Sequence, residues 1–217
     1  MIDLHLHTTC SDGQDTPEAV VERAVQVGLR AISITDHDSM SGVVRARDAV
    51  SARNSRLDLI AGVELTATAG RSAVHMLGYG IDPADSSFAT VLDELRKERH
   101  ERACAIVERL HALSVRLAMA AVERVADGAP ITRAHIAEAL VMDRHVPTYV
   151  EAFDRYLSND GPAFIPHGKL RLEEAIEHVH QAGGVAVMAH PVLTRRDELI
   201  AGMVRGGLDG IEVIHPA

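Results

Sequence analysis

An α/β fold, with strand–helix units repeating toward a barrel, is what this 217-residue sequence predicts. Short β-branched runs alternate with amphipathic helical runs from the first residues onward. His5, His7, His37, Glu64, His75 and His190 each close or follow one of those apolar runs. That is the C-terminal strand edge, where barrels gather their chemistry. From about residue 85 to 160 the strand pattern stops and only helical patterns remain. The expected division is therefore a first barrel part over 1–84, an all-helical cap over 85–160 and a second barrel part over 161–217.

Residues 1–7 read as the first strand. A helix follows, opened by Thr16 as N-cap and Pro17 at the first helical position and closed by Gly28. Residues 31–35 form a second strand that ends in Asp36-His37-Asp38, and 41–53 a second helix. A third strand over 57–65 delivers Glu64, Gly70 turns the chain, and 74–79 returns as a strand carrying His75. In the cap, one helix runs over 88–113, Thr132 caps a second with apolar Ile136, Ala139 and Leu140, and Pro147 starts a third. In that third helix Val150, Phe153, Tyr156 and Leu157 are expected on one face. A helix over 173–182, a strand over 185–189 ending in His190-Pro191 and a strand over 211–214 complete the pattern. Because His215-Pro216-Ala217 stops at the tip of that strand, the chain is expected to be truncated at its C-terminus.

Apolar residues make up 47% of the chain and aromatics only 3%, so the core must be aliphatic. A net charge of −9 argues against non-specific adhesion to nucleic acid or membranes. Two cysteines, Cys10 and Cys104, are too few for a disulfide framework, and Cys10 reads as a packing residue. No apolar run approaches the roughly 20 residues of a membrane helix, and the N-terminus enters a strand at once. A cytoplasmic protein is expected, with no membrane association and no obligate protein partner.

His5 and His7, at i and i+2 on a strand, share one face and can grip one ion together. Imidazoles and carboxylates converging at strand ends make a divalent-metal site. Any one of these histidines alone would be unremarkable. His100, His111, His178 and His180 lie on charged helices and read as surface residues, while His145 and His167 read as loop residues. Joint placement at one barrel edge distinguishes the others.

With His5-Leu6-His7, Ser11-Asp12-Gly13, Thr35-Asp36-His37-Asp38, Gly62-Val63-Glu64, the His75 strand and Ala189-His190-Pro191, the chain resembles the polymerase and histidinol phosphatase (PHP) phosphoesterases. The subgroup acting on nucleotides, nucleoside 3′,5′-bisphosphate phosphatases and 5′→3′ exoribonucleases, is similar in Arg133-Ala134-His135 and in Phe153-Asp154-Arg155-Tyr156-Leu157 before Gly161-Pro162-Ala163. The resemblance implies a distorted (β/α)7 PHP barrel and up to three divalent ions, Mn²⁺ first, with Zn²⁺ or Fe²⁺ as alternatives. It implies His5, His7 and Glu64 at the first ion, Glu64 bridging to a second with His75 and His190, and Asp12 and His37 at the third. Catalysis would run through Asp12, His37, Glu64 and His190 by way of the bound metals, with a metal hydroxide as nucleophile and a nucleotide or short RNA as substrate. Three such ions would add about +6 locally and attract phosphate despite the acidic total. Asp36 and Asp38 are expected behind the ligands, orienting His37 and water.

Two departures stand out. The family's late Asp-x-His ligand pair does not occur after His190, and Ala134 stands where the subgroup usually has proline. In the cap, Arg99, Arg102, Arg133 and His135, with His215 at the barrel mouth, are the candidates for holding a second phosphate. A solvated helix face is the competing reading of the arginines. A histidinol-phosphate phosphatase and a non-catalytic, metal-stabilised module are the alternative functions.

Overall fold

Six strands lie in one mixed sheet in chain order, β1 (Ile2–Leu6), β2 (Ala31–Ile34), β3 (Asp58–Ala69), β4 (Ser72–Tyr79), β5 (Val185–Met188) and β6 (Gly210–Ile211). The computed structural model describes residues 1–53, 55–70, 72–168 and 170–215. Pro216 and Ala217, at the tip of the last expected strand, lie outside the described residues. β1, β2 and β3 run parallel, β4 is antiparallel to both β3 and β5, and β6 is parallel to β5. The result is a half-barrel. The helices α1 (Pro17–Gln26), α2 (Ser41–Ala52) and α7 (Leu172–Gln181) back it.

Local chemistry accounts for these elements. Thr16 caps α1 by accepting from Ala19 N, with Pro17 at the first position. Ile32, Ile34, Val63, Leu65, Val74 and Met76 are fully buried, an aliphatic core shared with Val21, Val43 and Ile176 of the covering helices. Such packing suits a chain almost without aromatic residues. Beyond β5 come α8 (Pro191–Thr194), a short 3₁₀ turn and α9 (Ile200–Arg205).

The cap is built from α3 (Ser86–Ala112), α4 (Met119–Ala126), α5 (Arg133–Met142) and α6 (Tyr149–Ala152), followed by a π turn over Phe153–Leu157. Its own apolar cluster includes Ile106, Leu110, Leu117, Val122, Ile136, Leu140 and Leu157. Two expectations need correction here. α4 goes unmarked in the sequence because it is short and Ala118 at its N-cap supplies no side-chain acceptor. Val150 does not join one face with Leu157: it is 66% exposed while Leu157 is fully buried. The π turn adds a residue to the winding, and a 3.6-residue period cannot be carried across it.

Among the described residues, no helix is long and apolar enough to cross a membrane. Cap and half-barrel are joined by buried polar contacts. Arg99 of α3 donates through Nε to Asp38 and through Nη2 to Thr66 Oγ1 at 2.8 Å, and all three residues are buried. His135 of α5 reaches Ser11 O at 2.9 Å.

Truncating one partner of a buried ion pair leaves the other charge stranded in the interior. Arg99→Met should therefore lower the unfolding free energy by about 3–5 kcal/mol, measured by urea denaturation with mid-point and slope both fitted. A loss below about 1 kcal/mol, the scale of an exposed pair, would show that Asp38 finds water or another partner.

Candidate metal centre

Glu64, in the middle of β3 and only 1% exposed, is where the predicted residues meet. β2 ends at Ile34, but its ladder to β3 continues through a parallel bridge between His37 and Glu64. Glu64 N donates to Asp36 O, and Asp38 N donates to Glu64 O, clasping His37 against the carboxylate. β1 delivers His5 and His7, β4 delivers His75, and β5 hands the chain to His190.

Five imidazoles face that one carboxylate, and its two oxygens divide them. Oε2 lies 3.5 Å from His5 Nε2, 3.1 Å from His7 Nε2 and 3.1 Å from His37 Nδ1. Oε1 lies 2.8 Å from His75 Nδ1 and 3.0 Å from His190 Nε2. Asp12 sits at the rim, 3.6 Å from His7 Nδ1 and 3.8 Å from His37 Nε2. Burial works against ionising Glu64, but the surrounding His37 and His75 outweigh it and hold the carboxyl well below its ordinary range. Burial, aided by Arg99 and His7, pushes His37 down to about 3 against the pull of Glu64 and Asp12, so that ring keeps a lone pair. Burial likewise opposes charge on His5 and His7, yet their hydrogen bonds to Glu64 leave both pKa values raised.

This donor set suits cations better than it suits itself. His5 Nε2 and His7 Nε2 stand 3.2 Å apart, and only a proton or a metal between them makes that contact favourable. His190 Nδ1 is buried without a hydrogen-bond partner, and His37 Nδ1, although close to Glu64 Oε2, is not aligned to hydrogen-bond it. Ligand atoms of His5, His7 and Glu64, of His7, Asp12 and His37, and of His37, Glu64 and His75 form groups lying within 4.8 Å. The seven residues His5, His7, Asp12, His37, Glu64, His75 and His190 could hold divalent ions, with Glu64 facing more than one.

The residues around the cage sort differently from the sequence expectation. Asp36 accepts from Thr8 N, Thr8 Oγ1 and Ser11 Oγ, each at 2.7 Å, and so pins the loop carrying Asp12. Gly13 belongs to the same loop, where a Cβ would come within 2.4 Å of the His7 carbonyl. Asp38, at φ +46°, holds Arg99. Neither aspartate hydrogen-bonds His37 among the described contacts. Arg99 is occupied by Asp38 and Thr66. His135 is occupied too: Nδ1 accepts from Thr132 N in a capping box and Nε2 meets Ser11 O. These two contacts join cap to barrel. Arg133 keeps part of its fork free, giving Nη1 to Leu157 O and Asn159 Oδ1. Arg102 donates Nε to Ile165 O, while its Nη2 is buried and unpartnered. Burial, with Arg133 and Arg99 nearby, pulls Arg102 down to about 9. His215 lies against the cage, its ring centroid 5.3 Å from those of both His5 and His190.

Two residues escaped the sequence reading. Glu212 Oε1 is 3.0 Å from His5 Nδ1, and Oε2 accepts from His190 N at 2.7 Å. It fixes His5 with Nε2 inward and holds His190 at a strained φ of +28°. The signal was present, since Glu212 follows an apolar run as Glu64 does. His167, read as a loop residue, is held neutral by burial and then by Arg102 and Arg99. Nothing local in Pro166-His167-Gly168 announces that position.

Two outcomes follow for the purified protein. Glu64→Ala should remove more than one equivalent of divalent metal per chain by elemental analysis, and retention of the wild-type content would show that Glu64 does not serve two ions. Glu212→Gln should weaken metal binding by about 10–100-fold in calorimetric titration, the effect of losing a carboxylate behind a ligating histidine. An unchanged affinity would reduce Glu212 to a backbone tether.

Comparison with known proteins agrees with this geometry. The PHP domain model matches residues 3–158. A 5′-3′ exoribonuclease, Rnm, of Escherichia coli K12 is 36% identical over 189 residues, 87% of this chain and 64% of that protein. The chain thus spans under two thirds of that relative's length. A 3′,5′-nucleoside bisphosphate phosphatase of Chromobacterium violaceum is 35% identical over 218 residues, 98% of this chain and 76% of that one. A solved structure from Bifidobacterium adolescentis, described as a metal-dependent phosphoesterase, superposes with a TM-score of 0.87 at 34% identity, covering 97% of this chain and 76% of its own. With the fold, the strand-end donors and these likenesses in agreement, the chain belongs to the PHP domain family.

Proposed function

We propose that this protein is a metal-dependent phosphoesterase acting on phosphate esters of nucleotides, as a nucleoside 3′,5′-bisphosphate phosphatase, a 5′→3′ exoribonuclease on short RNA, or both. The division of five imidazoles between the two oxygens of buried Glu64 carries this reading. Divalent ions held by such donors supply Lewis acidity toward phosphoryl oxygens and water. Mixed imidazole and carboxylate donors suit Mn²⁺, with Zn²⁺ or Fe²⁺ as alternatives, in up to three positions. His5, His7 and Glu64 would hold the first, Glu64, His75 and His190 the second, and Asp12 and His37 the third. Glu212 and His215, which group with His5, are candidates to complete the first.

The chain's own groups would bind and orient the ester. Arg102 offers a buried, unpaired Nη2, and Arg133 stands beside it with its guanidinium 5.7 Å from the rings of both Phe153 and Phe164. The two guanidiniums form a cationic wall. A phosphate that is not cleaved fits there, because Arg N–H donors in a dry site are strong anion ligands. That wall also speaks against histidinol phosphate, whose ammonium group would meet two guanidiniums. A non-catalytic module would leave the anion pocket without a use. The half-barrel is proposed to work in the cytoplasm.

Hydrolysis of p-nitrophenyl phosphate should vanish in chelator and return with Mn²⁺, and persistence in excess chelator would refute the reading. Arg102→Met should lower kcat/KM for adenosine 3′,5′-bisphosphate by roughly 1.5–3 kcal/mol, the scale of a hydrogen bond to a charged group. The effect on p-nitrophenyl phosphate should be small. Equal losses on both substrates would move Arg102 from substrate binding to support of the fold. Arg133→Ala should show a less selective loss, because Arg133 also holds Leu157 O.

A further inference from the structure

The chain has three tyrosines and three phenylalanines, and four of these six residues fall between positions 149 and 164. Phe88 is core and Tyr79 Oη donates to Leu4 O, so aromatic surface elsewhere is scarce. Tyr149, at the start of α6, is 47% exposed. Its ring is braced by Phe153, with centroids 5.1 Å apart and planes at 44°. Phe153 is in turn backed by the Arg133 guanidinium at 5.7 Å. Tyr149 also lines a cavity of about 1020 Å³ between cap and half-barrel, shared with Asp12, Ser11, His135, Glu138 and Arg45. That volume reaches the upper end of small-molecule pockets, about 300–1,000 Å³. Asp12, one of the cage residues, lines the same cavity, and its charge is felt at the Tyr149 phenol.

An exposed tyrosine is ordinary by itself. This one packs against a second ring that touches Arg133, and it lines a cavity shared with Asp12 of the cage. Those are the elements of a base-stacking site, since every nucleobase offers a π face to an aromatic ring and stacking needs no specific hydrogen bond. We propose that Tyr149, braced by Phe153, is the stacking platform for a nucleobase of the substrate. On this proposal a base lies on Tyr149 while a neighbouring phosphate meets Arg133 and Arg102. The binding class is then nucleotides with any base, single-stranded oligonucleotides included. The inference rests on the nucleotide reading of the anion pocket.

The test uses the metal-depleted full chain and four protein forms: wild type, Tyr149→Ala, Tyr149→Phe and Tyr156→Phe. AMP and ribose 5-phosphate are compared by calorimetry, so that the ratio of their affinities isolates the base. Wild type and Tyr149→Phe should prefer AMP by about 5–100-fold, the range for one base on one aromatic ring. Tyr149→Ala should bring the ratio to within about twofold, and because it is a ratio it is insensitive to a general loss of affinity. Adenosine, which carries no phosphate, probes the platform separately. With no tryptophan in the chain, tyrosine emission reports it directly. Adenosine should quench wild type and Tyr156→Phe, and Tyr149→Ala should lose that quench. Equal affinities for AMP and ribose 5-phosphate in wild type, or an unchanged ratio in Tyr149→Ala, would overturn the platform and leave the anion pocket standing. Adenosine quenching through Tyr149 without binding of either phosphate would support the platform and sink the anion pocket. No binding of any of the three ligands would overturn both.

Discussion

A carboxylate taken out of water loses several kcal/mol of solvation unless partners replace it. Glu64 stands at that extreme, and much of the half-barrel serves to surround it. His7, His37, His75, His190 and His5 follow one another around the carboxylate with ring centroids 4.7 to 5.8 Å apart. The rings arrive from β1, β4 and the ends of β2 and β5, so the cage exists only when β1 to β5 hold their register. The clasp of Asp36 O and Asp38 N about Glu64 fixes β2 to β3 at that depth. Glu212 closes the circle by binding His5 and the His190 backbone at once.

A second layer of buried acids keeps the cage supplied with its loops. Asp36 stays protected from water by accepting three hydrogen bonds from Thr8 and Ser11, although burial still raises its pKa. Asp38 instead reaches upward to Arg99, converting an acid beside the cage into an anchor for α3. The cap is thereby tied to the same residues that position His37 and Asp12. Cations left over in the cap, Arg102 and Arg133, face neither of these acids.

Much of this was legible in the chain itself. Strand-end histidines, the Thr16 and Thr132 caps, the buried face of Ile136, Ala139 and Leu140, and the break in pattern near residue 85 are local signals of period and spacing. The reading went astray where partners came from far away. Arg99 is tied to Asp38 and His135 to Ser11, partners 61 and 124 residues distant in sequence that no local signal announces. Val150 was misplaced because a π turn leaves no mark in hydrophobic period. Glu212 met the same strand-end criterion as Glu64 and was still passed over, since its partners His5 and His190 lie at the other end of the chain or across a turn.

By itself the sequence determined the element types, the aliphatic core and the donor residues able to surround a cation, because these depend on residue chemistry and on neighbours a few positions away. Tertiary structure alone decided how the donors divide between the two oxygens of Glu64, that Arg102 keeps a buried Nη2 without a partner, and that Tyr149 and Asp12 line one cavity. Those outcomes turn on distances of about 3 Å between residues that no spacing rule relates, and only the folded sheet sets such distances.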